Sequence, residues 1–461
     1  MLFNSTGFLL FFVLVFILNA LLGQRLFYRN LMLLIASYYF YASWNGYYLG
    51  LIILSTLIDY ILAMKLESTE DTRHRKRFLT LSVCANLGLL GLFKYYNFFI
   101  DSAYTFFSAI GLPFQHSTLE LLLPVGISFY TFQSMSYTID VYYKRMPAEH
   151  NLMRFALYIA FFPQLVAGPI VRAIDFIPQL YKKYEFNKED FMLGTSLIWI
   201  GLVKKVLLAD FFARYADAYF SHMDMPHGLL DLLLGAYAFA FQIYFDFSGY
   251  TDTAIGCALL LGYRIPRNFN YPYAATTLAD FWRRWHISLS SWLRDYLYIP
   301  LGGGRVRKAR NILMTMGLSG LWHGAGWNFI LWGLLLGFGM NIESWLKKII
   351  SYRPPVWLAR LLVFHLVCLG WILFRMQDIG NLSLIPGHLE TWSLTGITYG
   401  QVTALLLAAS LLIYQHISAG FELRTILFRI PAPLQIGTHA LMLTLIVALG
   451  NFGNPFIYFQ F

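Results

Sequence analysis

Apolar runs recur along the whole chain, and this recurrence limits its possible folds more than any other feature of the sequence. Many of the runs approach the roughly 20 residues with which a helix crosses a bilayer. Only 13% of the residues are Asp, Glu, Lys or Arg, whereas soluble domains carry about 25%. We therefore predict an all-α, polytopic membrane protein. The apolar runs are residues 7–23, 31–43, 47–64, 78–93, 152–166, 191–208, 229–247, 311–340, 357–374, 402–417 and 440–452.

The lengths and interruptions of these runs indicate how the chain is organised. Several runs are shorter than a full span, and Gly and Pro interrupt apolar stretches at residues 123–126 and 167–169. Such interruptions suit backbone that lines a cavity inside the protein, so we expect about ten to twelve transmembrane and re-entrant helices. The sequence shows no fixed-period repeat and no low-complexity linker, which predicts one membrane-embedded domain over residues 1–461.

The distribution of basic residues predicts the topology. The net charge is +10, but Lys and Arg lie in short segments between apolar runs, which argues against nucleic-acid binding. Arg25 and Arg29 follow the first run and residues 73–77 follow the third, so by the positive-inside rule these segments are cytoplasmic and the amino terminus is outside. The clusters at residues 182–183 and 305–310 are further cytoplasmic candidates, and they also offer a surface for an anionic cosubstrate.

One histidine lies inside a long apolar stretch and is surrounded by small residues, within residues 317–328. If this stretch is one helix, the face of His323 is shared by Ser319, Gly320, Gly326 and Trp327. An imidazole with an ordinary pKa of about 6.5 can accept a proton from a hydroxyl at neutral pH. The alternative is a histidine that only forms a bond across a helix interface, although ionisable groups at membrane depth are often functional.

A second segment, residues 280–296, mixes aromatic, cationic and hydroxyl side chains. It is too polar to cross lipid alone, and an interfacial or re-entrant helix fits it better. Arg283, Arg284 and Arg294 can pair with the phosphates of a cosubstrate or anchor the helix at lipid headgroups. His286 can line a reaction tunnel or only form a hydrogen bond to a neighbouring helix.

Two carboxylates, Asp246 and Asp252, lie six residues apart, a spacing that does not place them on one face of a helix. Buried hydrogen bonds or an ion pair with an arginine are therefore expected rather than a paired acid–base device. The three cysteines and the remaining histidines lack metal-ligand spacing, so we predict no metal site. No Walker loop, HExxH motif or GxSxG elbow stands in a suitable setting, which argues against a hydrolase or a nucleotide-driven pump.

Six segments, taken in order, resemble the membrane-bound O-acyltransferase family, and specifically the bacterial branch of the alginate and peptidoglycan O-acetylation membrane subunits. They are residues 123–133, 161–170, 244–252, 281–303, 321–327 and 455–459. The resemblance covers nearly the whole chain and implies a many-helix fold with a central tunnel, in which two funnels meet at an intramembrane histidine. His323 matches the family's essential histidine, and His286 matches its second one. Asp280 stands where the family often has Glu.

The resemblance also implies the reaction. The expected enzyme is an O-acetyltransferase of the bacterial inner membrane, surrounded by membrane lipids, with acetyl-CoA or another cytosolic acyl thioester as donor and no tightly bound cofactor. The expected acceptor is a cell-surface polysaccharide, reached through a separate extracytoplasmic partner of the SGNH or esterase-like type. His323 is expected to act as a general base, or to carry the acyl group itself.

Further site residues are assigned by role. Candidate donors to the developing oxyanion are Trp322, Trp327, Asn328 and protonated His286. Candidate contacts to the donor's phosphates or the substrate are Arg283, Arg284, Arg305 and Asp246. A polysaccharide or lipid-linked sugar transporter would explain the many spans but not the six ordered segments. A scaffold that only recruits other enzymes would make His323 dispensable.

Overall fold

The computed structural model describes residues 1–349, 354–390, 398–418, 430–450, 453–454 and 456–457. Within these ranges the regular structure is helical and no strand is present, so the all-α prediction is confirmed. Seven helical segments of the described chain are long and apolar enough to cross a membrane. They are Gly46–Ser68, Thr72–Ala109, Lys188–Phe220, Leu229–Leu260, Trp327–Ile349, Val356–Arg375 and Tyr399–Ser418. Thr6–Leu22 and Pro433–Leu449 are shorter apolar helices, and the protein is a multi-pass membrane protein.

The α-helices in chain order are α1 (Thr6–Leu22), α2 (Leu26–Ala42), α3 (Gly46–Ser68), α4 (Thr72–Leu90), α5 (Tyr96–Ala109), α6 (Ile127–Tyr142), α7 (Leu152–Ala160), α8 (Phe162–Leu165), α9 (Ala173–Phe176), α10 (Lys188–Val203), α11 (Asp210–Phe220), α12 (Leu229–Leu260), α13 (Leu278–Arg284), α14 (Ile287–Leu293), α15 (Lys308–His323), α16 (Trp327–Ile349), α17 (Val356–Arg375), α18 (Ile385–Glu390), α19 (Tyr399–Ser418) and α20 (Ala432–Leu449). Short π-helical segments are Gly91–Tyr95, Lys204–Ala209 and Arg294–Tyr298, and 3₁₀ turns are Ile177–Tyr181, Pro272–Ala274 and Ile379–Leu384.

The chain divides into two compact units. The first comprises Met1–Thr195 and Ala254–Pro266, and the second comprises Ser196–Thr253 and Arg267–Phe461. The division falls within α10 and α12, so both helices contribute residues to each unit. The single domain over residues 1–461 stays a prediction.

Buried polar side chains hold the helices of the first unit together. Arg29 of α2 donates to the side chain of Asn19 at 2.8 Å and to the carbonyl oxygen of Leu261 at 2.7 Å. Asp59 of α3 accepts a hydrogen bond from the hydroxyl of Ser82 at 2.5 Å. Because unpaired polar groups are costly in an apolar surrounding, such bonds fix which helices pack together.

In the second unit, α15 and α16 pack together more extensively than any other helix pair. A Cβ atom on Gly320 of α15 would lie 2.1 Å from the carbonyl oxygen of Phe329, and one on Gly333 of α16 would lie 2.1 Å from that of Met316. Since only glycine leaves enough room at these two positions, the backbones approach closely, as small residues allow in membrane helices. This packing fixes the end of α15.

The apolar run at residues 311–340 is divided into two helices. α15 ends at His323, Gly324 continues in an extended conformation with φ −158°, and α16 begins at Trp327. A Cβ atom on Gly324 would collide with an aromatic ring of α16, so glycine is required where the chain turns. The expectation that Gly326 and Trp327 share a helical face with His323 is therefore wrong.

Other runs also differ from simple spans. Residues 152–166 form the short, buried helices α7 and α8 instead of a membrane span. Residues 229–247 lie within α12, which is 32 residues long and is buried over much of its length. Residues buried by other helices are apolar whether or not they cross the membrane. Composition alone therefore does not show where a membrane helix begins and ends.

Candidate active site

His323 is buried among aromatic rings at the end of α15. The ring centroids of Trp322, Trp332 and Phe374 lie 5.0, 5.2 and 5.5 Å from that of the imidazole. Trp332 belongs to α16 and Phe374 to α17, so three helices supply the walls. We call the cluster formed by these rings and the two histidines the histidine chamber.

His286 occupies the turn between α13 and α14, outside the seven candidate spans, and is fully buried. Its φ of 42° and ψ of 55° are left-handed, a conformation that is uncommon for residues with a Cβ atom. Asn268 holds the turn: its backbone carbonyl accepts from the N–H of Ile287 at 3.0 Å. Its side-chain oxygen accepts from the N–H and the hydroxyl of Ser288 at 3.1 and 2.6 Å. Backbone strain fixed by such neighbours is typical of functional sites.

The charge state of His286 follows from its burial. Loss of solvation disfavours the cation and lowers the pKa of His286 to about 3. The imidazole is therefore neutral near pH 7, with one N–H donor and one acceptor nitrogen. A neutral imidazole still carries one N–H donor, so donation from His286 to an oxyanion stays a prediction.

The two histidines lie side by side in the histidine chamber. Their ring centroids are 6.3 Å apart, with the ring planes at 60°. Phe247 of α12 and Trp322 of α15 contact His286 at 4.7 and 5.8 Å. The structure thus brings two separately predicted residues together in one buried cluster.

Tryptophan side chains place unpaired donors around this site. Among the described residues, the buried indole N–H groups of Trp282, Trp332 and Trp371 have no hydrogen-bond acceptor. Trp332 and Trp371 are stacked with centroids 5.8 Å apart, and Trp282 meets Trp332 edge-on at 5.7 Å. A buried donor left unpaired costs about 1–3 kcal/mol. Three such groups in one cluster call for an explanation.

Asp246 anchors the carboxyl-terminal segment, by which we mean the described residues 453–454 and 456–457. This buried residue of α12 forms an ion pair with Lys205 and accepts a hydrogen bond from the backbone N–H of Ile457 at 2.7 Å. Asp210 lies 3.6 Å from Lys205 and accepts a hydrogen bond from the side chain of Asn454 at 2.9 Å. The structure therefore gives Asp246 an anchoring function, whereas its substrate contact stays a prediction.

The carboxyl-terminal segment also reaches the wall of the histidine chamber. Phe456 contacts Phe247 and Tyr250, with ring centroids 5.6 and 4.9 Å apart, and Phe247 in turn contacts His286. Of the family-like segment at residues 455–459, only Phe456 and Ile457 lie among the described residues.

For these two carboxylates we expected buried hydrogen bonds or an ion pair with an arginine, and the structure pairs each of them with a lysine. Asp252 lies 2.6 Å from Lys204, and the neighbouring Lys205 binds the other carboxylate. A Cβ atom on Gly249 would lie 2.6 Å from the carbonyl oxygen of Gly201, so α10 and α12 approach closely and bring both lysines beside α12. The expected buried hydrogen bond is confirmed at Asp246, whereas the ion-pair partners are lysines and not an arginine.

The predicted oxyanion donors differ in their burial and in their contacts with the histidines. Trp322 is buried and contacts both imidazoles. Asn328 is also buried, and its side chain donates to the carbonyl oxygen of Met376 at 3.0 Å, which ties α16 to the end of α17. Trp327 is 54% exposed, so its side chain is not enclosed with His323.

The predicted donor-binding arginines lie at the surface. Arg283 and Arg305 are exposed, whereas Arg284 is half-buried and pairs with Asp280 at 3.0 Å. Arg283 and Arg305 can therefore contact either an anionic donor or lipid headgroups.

Sequence reasoning missed Asn268, Trp332 and Lys205. Lys204 and Lys205 interrupt an apolar run, and charged residues at membrane depth are a signal that could have identified them. Trp332 lies in an apolar helix, and Asn268 in a loop without periodic pattern. Only the fold brings these two residues to the histidines.

The family signature described as MBOAT, membrane-bound O-acyltransferase family, matches residues 72–374, a range that includes both histidines. The chain therefore belongs to the membrane-bound O-acyltransferase family, and it is an O-acyltransferase. Membership confirms the enzyme class that the six ordered segments predicted and removes the basis for the transporter and scaffold alternatives.

Several bacterial proteins are similar over most of the chain. The probable alginate O-acetylase AlgI of Azotobacter vinelandii is 42% identical, over 90% of this chain and 83% of the relative. The peptidoglycan O-acetyltransferase of Helicobacter pylori is 37% identical, over 82% of this chain and 78% of the relative. The teichoic acid D-alanyltransferase of Bacillus subtilis is 31% identical, over 56% of this chain and 70% of the relative.

Proposed function

We propose that this enzyme takes an acetyl group from a cytosolic thioester and passes it across the bacterial inner membrane for O-acetylation of a cell-surface polysaccharide. The enclosed pair of His286 and His323, with ring centroids 6.3 Å apart, carries the proposal. The names of the Azotobacter vinelandii and Helicobacter pylori relatives support acetyl as the group and alginate or peptidoglycan as acceptors.

His323 acts as the general base. It accepts the proton of an acceptor hydroxyl while the hydroxyl oxygen attacks the thioester carbonyl carbon. The new C–O bond forms and the C–S bond breaks, and the thiolate takes the proton from the imidazolium and leaves as a thiol. Direct transfer needs no acyl-protein intermediate, whereas the alternative leaves the acyl group on His323 for part of the cycle.

His286 acts beside the reacting carbonyl. Its neutral imidazole can donate one N–H to the acyl oxygen as negative charge develops there. The ring centroid of Trp322 lies 5.8 Å from that of His286 and 5.0 Å from that of His323. Trp322 therefore helps to fix the distance between the two imidazoles. These contacts favour catalysis by a preorganised pair over catalysis by a single mobile histidine.

Acetyl-CoA is the proposed donor, and the exposed Arg283 and Arg305 bind its phosphates. Arg284 contributes less because it already pairs with Asp280. We expect the Arg283→Ala/Arg305→Ala variant to raise KM for acetyl-CoA but not for acetyl-pantetheine, which lacks the nucleotide phosphates. The difference in KM for acetyl-CoA between wild type and this variant should shrink as salt screens the charges. An unchanged KM for acetyl-CoA would leave these arginines as topology determinants or lipid contacts.

An extracytoplasmic partner of the SGNH or esterase-like type receives the acyl group and delivers it to the polysaccharide. The six ordered segments that resemble the polysaccharide-modifying branch of the family support this step. The test is acetylation of an added polysaccharide with and without an extract of extracytoplasmic proteins. Equal polymer acetylation in both conditions would contradict the need for a partner.

The reaction is tested with purified protein in proteoliposomes and acetyl-CoA labelled in its acetyl group. We expect His323→Ala to lose about 10² to 10⁴ in transfer rate. His365→Ala is the matched control, because His365 is exposed on α17 and bonds to Tyr237. Normal transfer by well-folded His323→Ala protein contradicts the general-base assignment. If wild type leaves acetyl-CoA intact, an acyl-carrier thioester is the next donor to test.

A further inference from the structure

Trp332 differs from the other tryptophans with unpaired N–H groups because its ring lies against His323. The two centroids are 5.2 Å apart and the ring planes are perpendicular, at 89°. The Trp332 side chain is fully buried. Trp371 has an equally buried N–H without an acceptor, but within the described chain its ring contacts are with other aromatic residues and not with a histidine.

The unpaired N–H of Trp332 is not explained by packing. A phenylalanine supplies an aromatic surface without a donor that needs a partner, and buried donors in native proteins are normally paired. The described residues supply no acceptor to this indole. An acyl substrate brings a carbonyl oxygen into the histidine chamber, and that oxygen is a suitable acceptor.

We propose that Trp332 is a catalytic residue whose N–H donates to the acyl carbonyl oxygen as negative charge develops on it. The proposal rests on the proposed transfer reaction at His323. No bond forms to the indole, and because Trp is a donor only, the proton of the acceptor hydroxyl goes to the imidazole. When the tetrahedral species collapses, the C–S bond breaks, the electron pair returns to the C=O bond, and the hydrogen bond weakens.

The neighbouring rings hold this donor in place before substrate binds. Trp332 stacks on Trp371 at 5.8 Å and meets Trp282 at 5.7 Å. A Cβ atom on Gly370 would lie 3.3 Å from the indole nitrogen of Trp332, so α17 also passes close to this edge. A donor that is already fixed stabilises charge without reorganisation during the reaction.

The test compares Trp332→Phe with Trp371→Phe in the proteoliposome transfer assay. Each substitution removes one buried, unpaired indole N–H, but only the first removes it from a ring that contacts His323. For Trp332→Phe we expect kcat to fall about 10² to 10³-fold, with KM for the acyl donor unchanged because the interaction belongs to the transition state. Trp371→Phe keeps an aromatic ring at the position that stacks on Trp332 and should therefore lower kcat much less.

A second variant separates the N–H from the shape of the ring. Replacing Trp332 with 3-benzothienylalanine exchanges N–H for sulfur in a ring of nearly the same size, and it should lower kcat as much as phenylalanine does. Full activity in this variant overturns the proposal. Equal losses in Trp332→Phe and Trp371→Phe also overturn it, because packing would then explain both.

The same assay distinguishes this proposal from the proposed function. If wild type shows no transfer that depends on His323, the proposed function has failed. If transfer depends on His323 but not on the N–H of Trp332, only the present inference has failed.

Discussion

Asp246 accepts a hydrogen bond from the backbone N–H of Ile457 at 2.7 Å, although 211 positions separate them along the chain. The same carboxylate is paired with Lys205. Phe456, the neighbour of Ile457, packs on Phe247, and Phe247 contacts His286. One buried ion pair therefore positions both the carboxyl-terminal segment and part of the wall of the histidine chamber.

Asp246→Ala should destabilise the protein and release this segment. Asp246→Ala leaves the buried Lys205 with only its longer pair to Asp210, at 3.6 Å, and breaking a buried ion pair typically costs about 3–5 kcal/mol. We expect the free energy of unfolding to fall by about that amount, with a loss of acyl transfer as the chamber wall loosens. Denaturant unfolding in detergent, followed by tryptophan fluorescence, measures the first effect.

Two controls identify the ion pair as the cause. Asp252→Ala should cost less, because the side chains of Lys204 and Asp252 are 22% and 20% exposed and water can solvate the remaining charge. The double variant Asp246→Leu/Lys205→Leu should recover only part of the stability, because it removes both charges of that pair but also takes the Lys205 partner from Asp210. Equal destabilisation by Asp246→Ala and Asp252→Ala would count against the buried pair as the anchor.

Asn268→Ala should lower activity through the position of His286. Its side-chain oxygen accepts two hydrogen bonds from Ser288, which hold the turn that carries the histidine. A small displacement of a catalytic group can cost about 100-fold in rate. We expect a fall in kcat of up to that order, measured in the labelled-acetyl transfer assay.

Ser288→Ala should have a smaller effect on kcat than Asn268→Ala, because it removes only one of the two hydrogen bonds between these residues. It removes the hydroxyl bond of 2.6 Å but retains the backbone bond of 3.1 Å. Its loss of kcat should therefore fall between wild type and Asn268→Ala. Asn268 would not be a positioning residue if Asn268→Ala were less stable but fully active.

Much of the fold could be predicted from the sequence because the bilayer imposes long apolar helices. The run at residues 357–374 coincides closely with α17. The segment at residues 280–296, which is too polar to cross lipid alone, forms the short helices α13 and α14. His323 and His286 could be identified as well, because a histidine among small or aromatic residues in an apolar region is conspicuous.

The rest of the site depends on packing that no local pattern reveals. The helix break at Gly324 arises where a side chain would meet a ring of α16, and the lysine partners of Asp246 and Asp252 arise where α10 crosses α12. Trp332 looks like any other large residue on an apolar helix. Its importance comes from a ring contact with His323 that only the packed helices create.

His286→Asn should be more stable than His286→Ala, although both should lose activity. The φ of 42° at this position is left-handed, and Asn tolerates that conformation better than Ala because its side chain can bond locally. The difference in the free energy of unfolding should be about 1 kcal/mol. Parallel measurements of stability and transfer separate the backbone requirement from the imidazole chemistry.

His286→Gly extends this comparison. Glycine adopts positive φ at no steric cost, so this variant should not be strained at the turn, yet it supplies no imidazole. If it retained wild-type transfer, His286 would have a conformational role only. If His286→Ala were as stable as His286→Asn, strain at this turn would not contribute to stability.

Gly320→Ala should disturb the site through the face of α15 that packs against α16. The new Cβ atom would lie 2.1 Å from the carbonyl oxygen of Phe329, so α15 and α16 must separate. Overpacking of this kind costs about 1–3 kcal/mol, and the separation moves His323, which lies three residues further along α15, away from Trp332. We expect lower stability and lower kcat in the same variant.

Gly88→Ala is the matched control, because Gly88 lies within α4 and an added Cβ atom meets nothing within 4 Å. That change should stabilise the protein by about 0.5–1 kcal/mol, since alanine favours the helix over the unfolded chain. Opposite signs for the two glycine substitutions would establish that the contact between α15 and α16 requires glycine. A stable, fully active Gly320→Ala protein would show instead that the helices can separate without moving His323 from its catalytic position.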